Sequence, residues 1–396
     1  MKYQKPHFII KKNLQKSNTT GKFFSDIVTE DILADVCKKI TNCDEFSYEY
    51  VDNSYTDEFY EATYNKGRIA ILLYKDEVSY ISFSEKEIGG RNSSIQSVPT
   101  AFNLYYNNKN SNKKLYYYFL NPSGNAETDY LIFIYRLMST IGFEFLNAEK
   151  TLQQKINSFN SIEDIIHTRR INKKKNSSNN STYITKSKLT HVEIYGKTYG
   201  ANKYESTLIC YAISKLAPQQ YKVTLYEVCD KDLRELPKSC LDVLMDMGVI
   251  KVVPTDIFLE KKAFENNNSL RSPRFIYNLF DKYGEKKCAL CNCKIPELIQ
   301  GAHIWPVASI KNDQSINIDK KVSYAIDGEN GIWLCENHHK MFDENLIKIN
   351  PQGKVLIDST LETQHKEYIK EITIQKEISQ EYITEKFANY LSKRYK

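Results

Sequence analysis

The chain has 396 residues, too many for one ordinary domain and enough for two or three that each bury a core. It is 41% hydrophobic with 29 Tyr and 18 Phe, which excludes a disordered chain, and it holds no run of about twenty apolar residues, which argues against a membrane span. The basic start, MKYQKPHFIIKKN, lacks the apolar core of a signal peptide, so the cytoplasm is the expected compartment. The net charge of +6 has the sign that suits nucleic acid but is too small at this length to establish it. Nine Cys is an odd count, and Cys37, Cys43, Cys210, Cys229 and Cys240 stand in apolar or helical contexts where free buried thiols are ordinary.

Residues up to about 23 read as a polar, basic arm. Thr29 then precedes a helical spacing of Ile32, Leu33, Val36 and Ile40, with Glu30 and Asp31 in its first turn. Four strand-like segments follow, 46–51, 59–64, 68–74 and 78–83, the last two flanking a three-residue turn, so an antiparallel meander is expected. Residues 101–106 and 115–120 read as two more strands, and Leu131, Ile134, Tyr135, Met138 and Ile141 as a buried helix stopped by Gly142. Residues 1–160 are thus expected to form an α+β domain with an antiparallel sheet.

The composition changes at 161–189, a basic Ser/Asn-rich linker in which Arg169, Arg170, Lys173, Lys174 and Lys175 are either a solvated charge run or contacts to DNA phosphate. From 190 to 260 the pattern of helix (205–216), strand (222–228), a helix capped by Asp230, a helix opened by Pro237 and closed by Gly248, and strand (249–253) resembles a winged-helix-like module. Residues 271–283 predict a helix, 355–358 a strand, and Ser379 caps a final helix whose basic end, 393–396, reads as solvated.

The chemistry concentrates between Cys288 and Asp343. Cys288-x-x-Cys291 and Cys335-x-x-His338 supply four ligands suited to tetrahedral structural Zn2+, with Cys293 a bystander. His303 lies between the half-sites, and His339 and Asp343 stand four apart, on one face of a helix. Order and spacing resemble the HNH nuclease family, a ββα-metal unit, over about a seventh of the chain. The resemblance implies that His303 is the general base, that Asn330 orients the loop bearing it, and that His339 and Asp343 hold catalytic Mg2+ (or Mn2+). Ala302 stands where many members place a metal ligand, so Asp313, Asp319 or Asp327 is a candidate to complete the site. The C-terminal domain is then a zinc-stapled HNH nuclease domain over 271–396.

The layout resembles type II restriction endonucleases, and the resemblance implies that the 1–160 domain serves DNA recognition. It also implies a sequence-specific cut in double-stranded DNA, 5'-phosphate and 3'-hydroxyl ends, a homodimer for cutting both strands, and a cognate DNA methyltransferase acting on the same site. The alternatives are a modification-dependent, homing or anti-phage HNH nuclease and, more distant, a non-catalytic zinc-containing DNA-binding regulator.

Overall fold

The computed structural model describes residues 3–11, 28–51, 69–84, 95–121, 129–171, 182–198, 202–228, 236–255, 257–266 and 272–395. The chain is a mixed α and β protein that divides into two compact units. The first comprises Met1–Lys173, Lys197–Tyr221 and Glu235–Lys251, and the second Lys174–Gly196, Lys222–Arg234 and Val252–Lys396. Among the described residues no helix is long and apolar enough to cross a membrane.

The first unit contains strands β1 (Tyr3–Lys11), β2 (Ser47–Val51), β3 (Ile69–Lys75), β4 (Glu77–Phe83), β5 (Lys113–Tyr118) and β6 (Glu144–Leu146). They form one sheet in the order β2-β1-β3-β4-β5-β6. The β3–β4 hairpin forms as its short turn predicts. A plain meander does not: β1 pairs parallel to β2, and β5 pairs parallel to both β4 and β6. Nor do residues 3–11 form an arm, because Phe8 and Ile10 of β1 are fully buried against Leu33 and Val36 of helix α1 (Glu30–Thr41); the rest of the expected arm lies outside the described residues. HFII is too short to display a period, and its antiparallel partner lies far along the chain. The expected strand at 59–64 falls outside the described residues.

Residues 101–106, expected as a strand, belong instead to helix α2 (Val98–Asn107). Pro99 sits in its first turn, where a missing N–H costs nothing, and residues 98–103 turn inward. Helix α3 (Asp129–Ile141) ends at Gly142, whose φ of +113° only glycine adopts freely. It packs on helix α5 (Asn202–Leu216), buried along nearly its whole length.

Between them in sequence, helix α4 (Ile162–Ile171) occupies part of the expected linker and overturns the reading of Arg169 as a DNA contact. The Arg169 side chain is 5% exposed and donates to Glu205 at 2.7 Å; Glu205, wholly buried, also accepts from Tyr130 at 2.8 Å. Removing either charge would strand the other, at a cost of about 3–5 kcal/mol. Arg170 is half-buried on the same helix. Lys173, Lys174 and Lys175, like the helix expected after Asp230, lie outside the described residues.

The second unit contains strands β7 (Thr182–Lys188), β8 (His191–Gly196), β9 (Lys222–Glu227) and, from Val252 on, the end of β10 (Ile250–Pro254), in sheet order β10-β9-β8-β7. β7 and β8 are antiparallel, whereas β8 and β9 are parallel. This corrects the winged-helix expectation for 190–260. A parallel pair needs a crossover, here the stretch containing α5, and that helix together with α6 (Lys238–Met247) falls in the first unit.

The core of the C-terminal region does not begin at 271. Tyr183 of β7 stacks on Phe280 of helix α7 (Pro273–Tyr283), with ring centroids 5.0 Å apart, and its hydroxyl donates to Asp281 at 2.6 Å. One hydrophobic cluster therefore runs from Tyr183 and Tyr195 through Phe280 to Trp333 and Phe387. The final helix in that cluster spans Glu385–Arg394 and is capped by Thr384, whose hydroxyl accepts from the Phe387 N–H; Ser379 precedes only a short 3-10 turn. At its basic end Arg394 is not solvated. Lys393 lies 4.3 Å from the Trp305 ring, and the Arg394 side chain is 4% exposed.

Candidate metal centres and active site

Strands β11 (Ile299–His303) and β12 (Gly331–Cys335) form an antiparallel hairpin in which His303 faces Gly331 and Ile299 faces Cys335. Helix α10 (Glu336–Asp343), counting α8 (Val307–Asn312) and α9 (Ile318–Ile326) in the connection, follows β12 directly. The result is a ββα unit. Helix α7 presses on the hairpin where two glycines admit it: a Cβ on Gly331 would come within 2.5 Å of the Phe275 ring, and one on Gly301 within 2.6 Å of Leu279.

Cys288, Cys291, Cys335 and His338 converge, their ligand atoms all within 4.8 Å of one another. The Cys335 sulfur lies 3.1 Å from His338 Nδ1 and 3.8 Å from the Cys291 sulfur. The opposite ring nitrogen, Nε2, is 3.2 Å from the buried Thr373 hydroxyl, which fixes the ring with Nδ1 toward the sulfurs. The Cys288 thiol and then His338 hold Cys335 well below the ordinary thiol range, while the hydrogen bond with Cys335 and burial push Cys288 up. A closed set of three sulfurs and one imidazole nitrogen suits tetrahedral zinc, which would displace the thiol protons on binding. Cys293 is outside this set; its carbonyl accepts from the Cys288 N–H.

The second constellation sits at the other end of the hairpin. The His303 ring stacks on Phe275, with centroids 3.9 Å apart and planes 11° from parallel. Its Nε2 lies 2.9 Å from the Ala325 carbonyl, which can only accept, so Nε2 carries the hydrogen and Nδ1 is left with a lone pair. Burial, aided by the positive potential of His339 and opposed by Ala325, lowers its pKa to about 4. The ring is therefore neutral at physiological pH.

Asn330 is fully buried and uses its whole amide on the chain beyond His303: Oδ1 accepts from Trp305 N–H (2.7 Å), while Nδ2 donates to the carbonyls of Tyr324 (3.0 Å) and Trp305 (3.2 Å).

On α10, His339 Nδ1 lies 3.2 Å from Gln300 Oε1, and that amide's nitrogen donates toward Glu336 at 3.4 Å. With Nδ1 directed at Gln300, Nε2 faces Asp343 Oδ2 at 3.3 Å. The pair is close enough to share either a proton or a divalent ion. His339 Nε2 and Asp343 supply one nitrogen and one half-exposed carboxylate, an open donor set suited to a hard divalent ion that keeps several waters.

No loop aspartate joins them. Asp313 accepts from Ser315, Asp319 pairs with Lys261, and Asp327 accepts from Tyr390 and from the Glu329 N–H. Ala302 is buried opposite Ile332. Sequence reasoning missed Gln300 and Arg394, both joined to the site by contacts that no local spacing signals.

Residues 288–350 match the HNH endonuclease family. That stretch of the chain is an HNH endonuclease domain, and it implies DNA as the substrate class. No curated protein matches the chain.

Proposed function

We propose that the protein is a DNA endonuclease that hydrolyses phosphodiester bonds with His303 as general base. The observation that carries this reading is the tautomer: Nε2–H is tied to Ala325, so the bare Nδ1 is the atom able to take a proton from water. The lowered pKa keeps that atom unprotonated at neutral pH. Phe275 prevents the ring from tilting, and Asn330 holds the chain that follows it. His339 and Asp343 would hold Mg2+ or Mn2+, which when bound stabilises charge on the phosphate and the departing 3' oxygen. Cys288, Cys291, Cys335 and His338 would hold zinc as a staple.

Within that class, the reading is a type II restriction enzyme acting on double-stranded DNA. Two copies of the single site would then cut both strands, with Lys173, Lys174 and Lys175 along the phosphates and a methyltransferase protecting the host site. The test is a digest of defined plasmid and phage DNA with Mg2+, using wild type and His303→Ala, followed by sequencing of fragment ends. Wild type should yield 5'-phosphate ends at one short motif, and His303→Ala should cut about 10²–10⁴-fold more slowly. Random nicks would reject the restriction reading, and cutting confined to methylated DNA would replace it with a modification-dependent nuclease.

A further inference from the structure

The hairpin and α10 are covalently joined only at the Ile299–Cys335 end, where β12 runs into the helix. His303 and the last turn of α10 lie at the opposite end, so side chains must set the spacing between base and metal ligands there. We propose that Arg394 is the positioning residue that sets it, an inference that rests on the nuclease reading above. Its Nη1 donates to the Ile304 carbonyl at 3.1 Å and reaches the His303 carbonyl at 3.4 Å, while Nη2 donates to the Phe342 carbonyl at 2.5 Å. The same Nη2 is 4.0 Å from Asp343 Oδ1, and the guanidinium lies 3.9 Å from the Phe342 ring centroid.

One planar group thus grips the strand end that bears the base and the helix turn that bears the metal ligand. Only a rigid fork donates in two directions at fixed separation; a lysine ammonium of equal charge does not. The side chain is 4% exposed, which keeps it off the substrate and makes its role one of placement. A misplacement of about 1 Å between base and phosphate costs on the order of 100-fold in rate.

The experiment compares wild type, Arg394→Ala, Arg394→Lys and Ser392→Ala as full chains. Each is assayed for single-turnover rate at saturating DNA and Mg2+, KM, zinc content and the thermal transition of tryptophan fluorescence. Both Arg394 variants should lose about 100-fold in maximal rate with KM and zinc content unchanged, and millimolar guanidinium ion should recover at least about tenfold in Arg394→Ala. Ser392→Ala, which removes an exposed hydroxyl of the same helix that bonds only the Ala388 carbonyl, should keep the wild-type rate.

An Arg394→Ala rate within about threefold of wild type overturns the proposal. So does a full rate in Arg394→Lys, which also decides the matter if the Ala variant does not fold, and so does a loss confined to KM. If wild type cuts no DNA with Mg2+ or Mn2+, it is the nuclease reading that fails. The positioning claim is then read from the ring NMR signals of metal-free protein: His303 and His339 shift together in Arg394→Ala if the guanidinium couples them, and unmoved signals overturn it.

Discussion

His338 and His339 are consecutive residues on one helix, yet their surroundings differ in every physical respect. His338 is buried, faces three sulfurs through Nδ1 and is backed by a threonine hydroxyl. His339 is part-exposed, faces one carboxylate through Nε2 and is backed by a glutamine amide. The first arrangement is closed: four ligands leave no position for substrate, which suits an ion that only holds structure. The second is open, so waters and a phosphate oxygen can complete the shell of a hard cation. A rotation of about 100° per residue around the helix is enough to move one imidazole from the four-ligand cluster to the proposed catalytic site.

The comparison breaks most visibly if the closed site is dismantled. Cys335→Ala, or prolonged chelation of the zinc, should unfold the nuclease region, because binding free energy at such a site is folding free energy. Trp305 and Trp333 are the only two tryptophans and both belong to the second unit, so their fluorescence should lose its cooperative transition. A native-like melt in the zinc-free variant would show that the staple is dispensable.

Dismantling the open site should do the reverse. Asp343→Ala should retain zinc and the wild-type melt but cut DNA more slowly by more than the roughly 100-fold that bounds the loss of an outer partner. Co-loss of zinc in that variant would show the two sites to be one.

A subtler change sharpens the contrast. Gln300→Ala removes the amide that fixes the His339 tautomer and should weaken Mn2+ binding by about 10–100-fold, with the rate at saturating metal nearly restored. Titration of Mn2+ by electron paramagnetic resonance measures this directly.

The smallest expected effect is in the pH profile. The folded pKa of His303, about 4, lies below the ordinary value of 6.5, so the base stays unprotonated as pH falls through 6.5 and is lost only on approaching 4. With metal held saturating, the acid limb of the cleavage rate assigned to His303 should therefore fall below pH 6. A midpoint at 6.5 or above would place the ring in a wetter setting than its stack on Phe275 implies.

Much of this site is written locally. Cys-x-x-Cys, Cys-x-x-His and the four-residue step from His339 to Asp343 are spacings that a turn or a helix converts into geometry without help from the rest of the chain. So are the Pro237 and Gly248 boundaries of α6 and the stop at Gly142. These fix donor types, their order and the face they share, and the match over residues 288–350 agrees with them.

What tertiary structure alone decided are the pairings across distance. Arg169 stood beside a lysine run and read as a phosphate contact until Glu205, 36 positions away, claimed it in the core. The basic end of the last helix read as solvated, yet Arg394 reaches carbonyls 52 and 90 positions back. The Phe275–His303 stack, the Ala325 carbonyl that sets the tautomer and the parallel strands of both sheets are of the same kind. A charged or aromatic side chain has the same local signature whether it ends in water or in a core; burial chooses between them, and burial belongs to the packed chain as a whole.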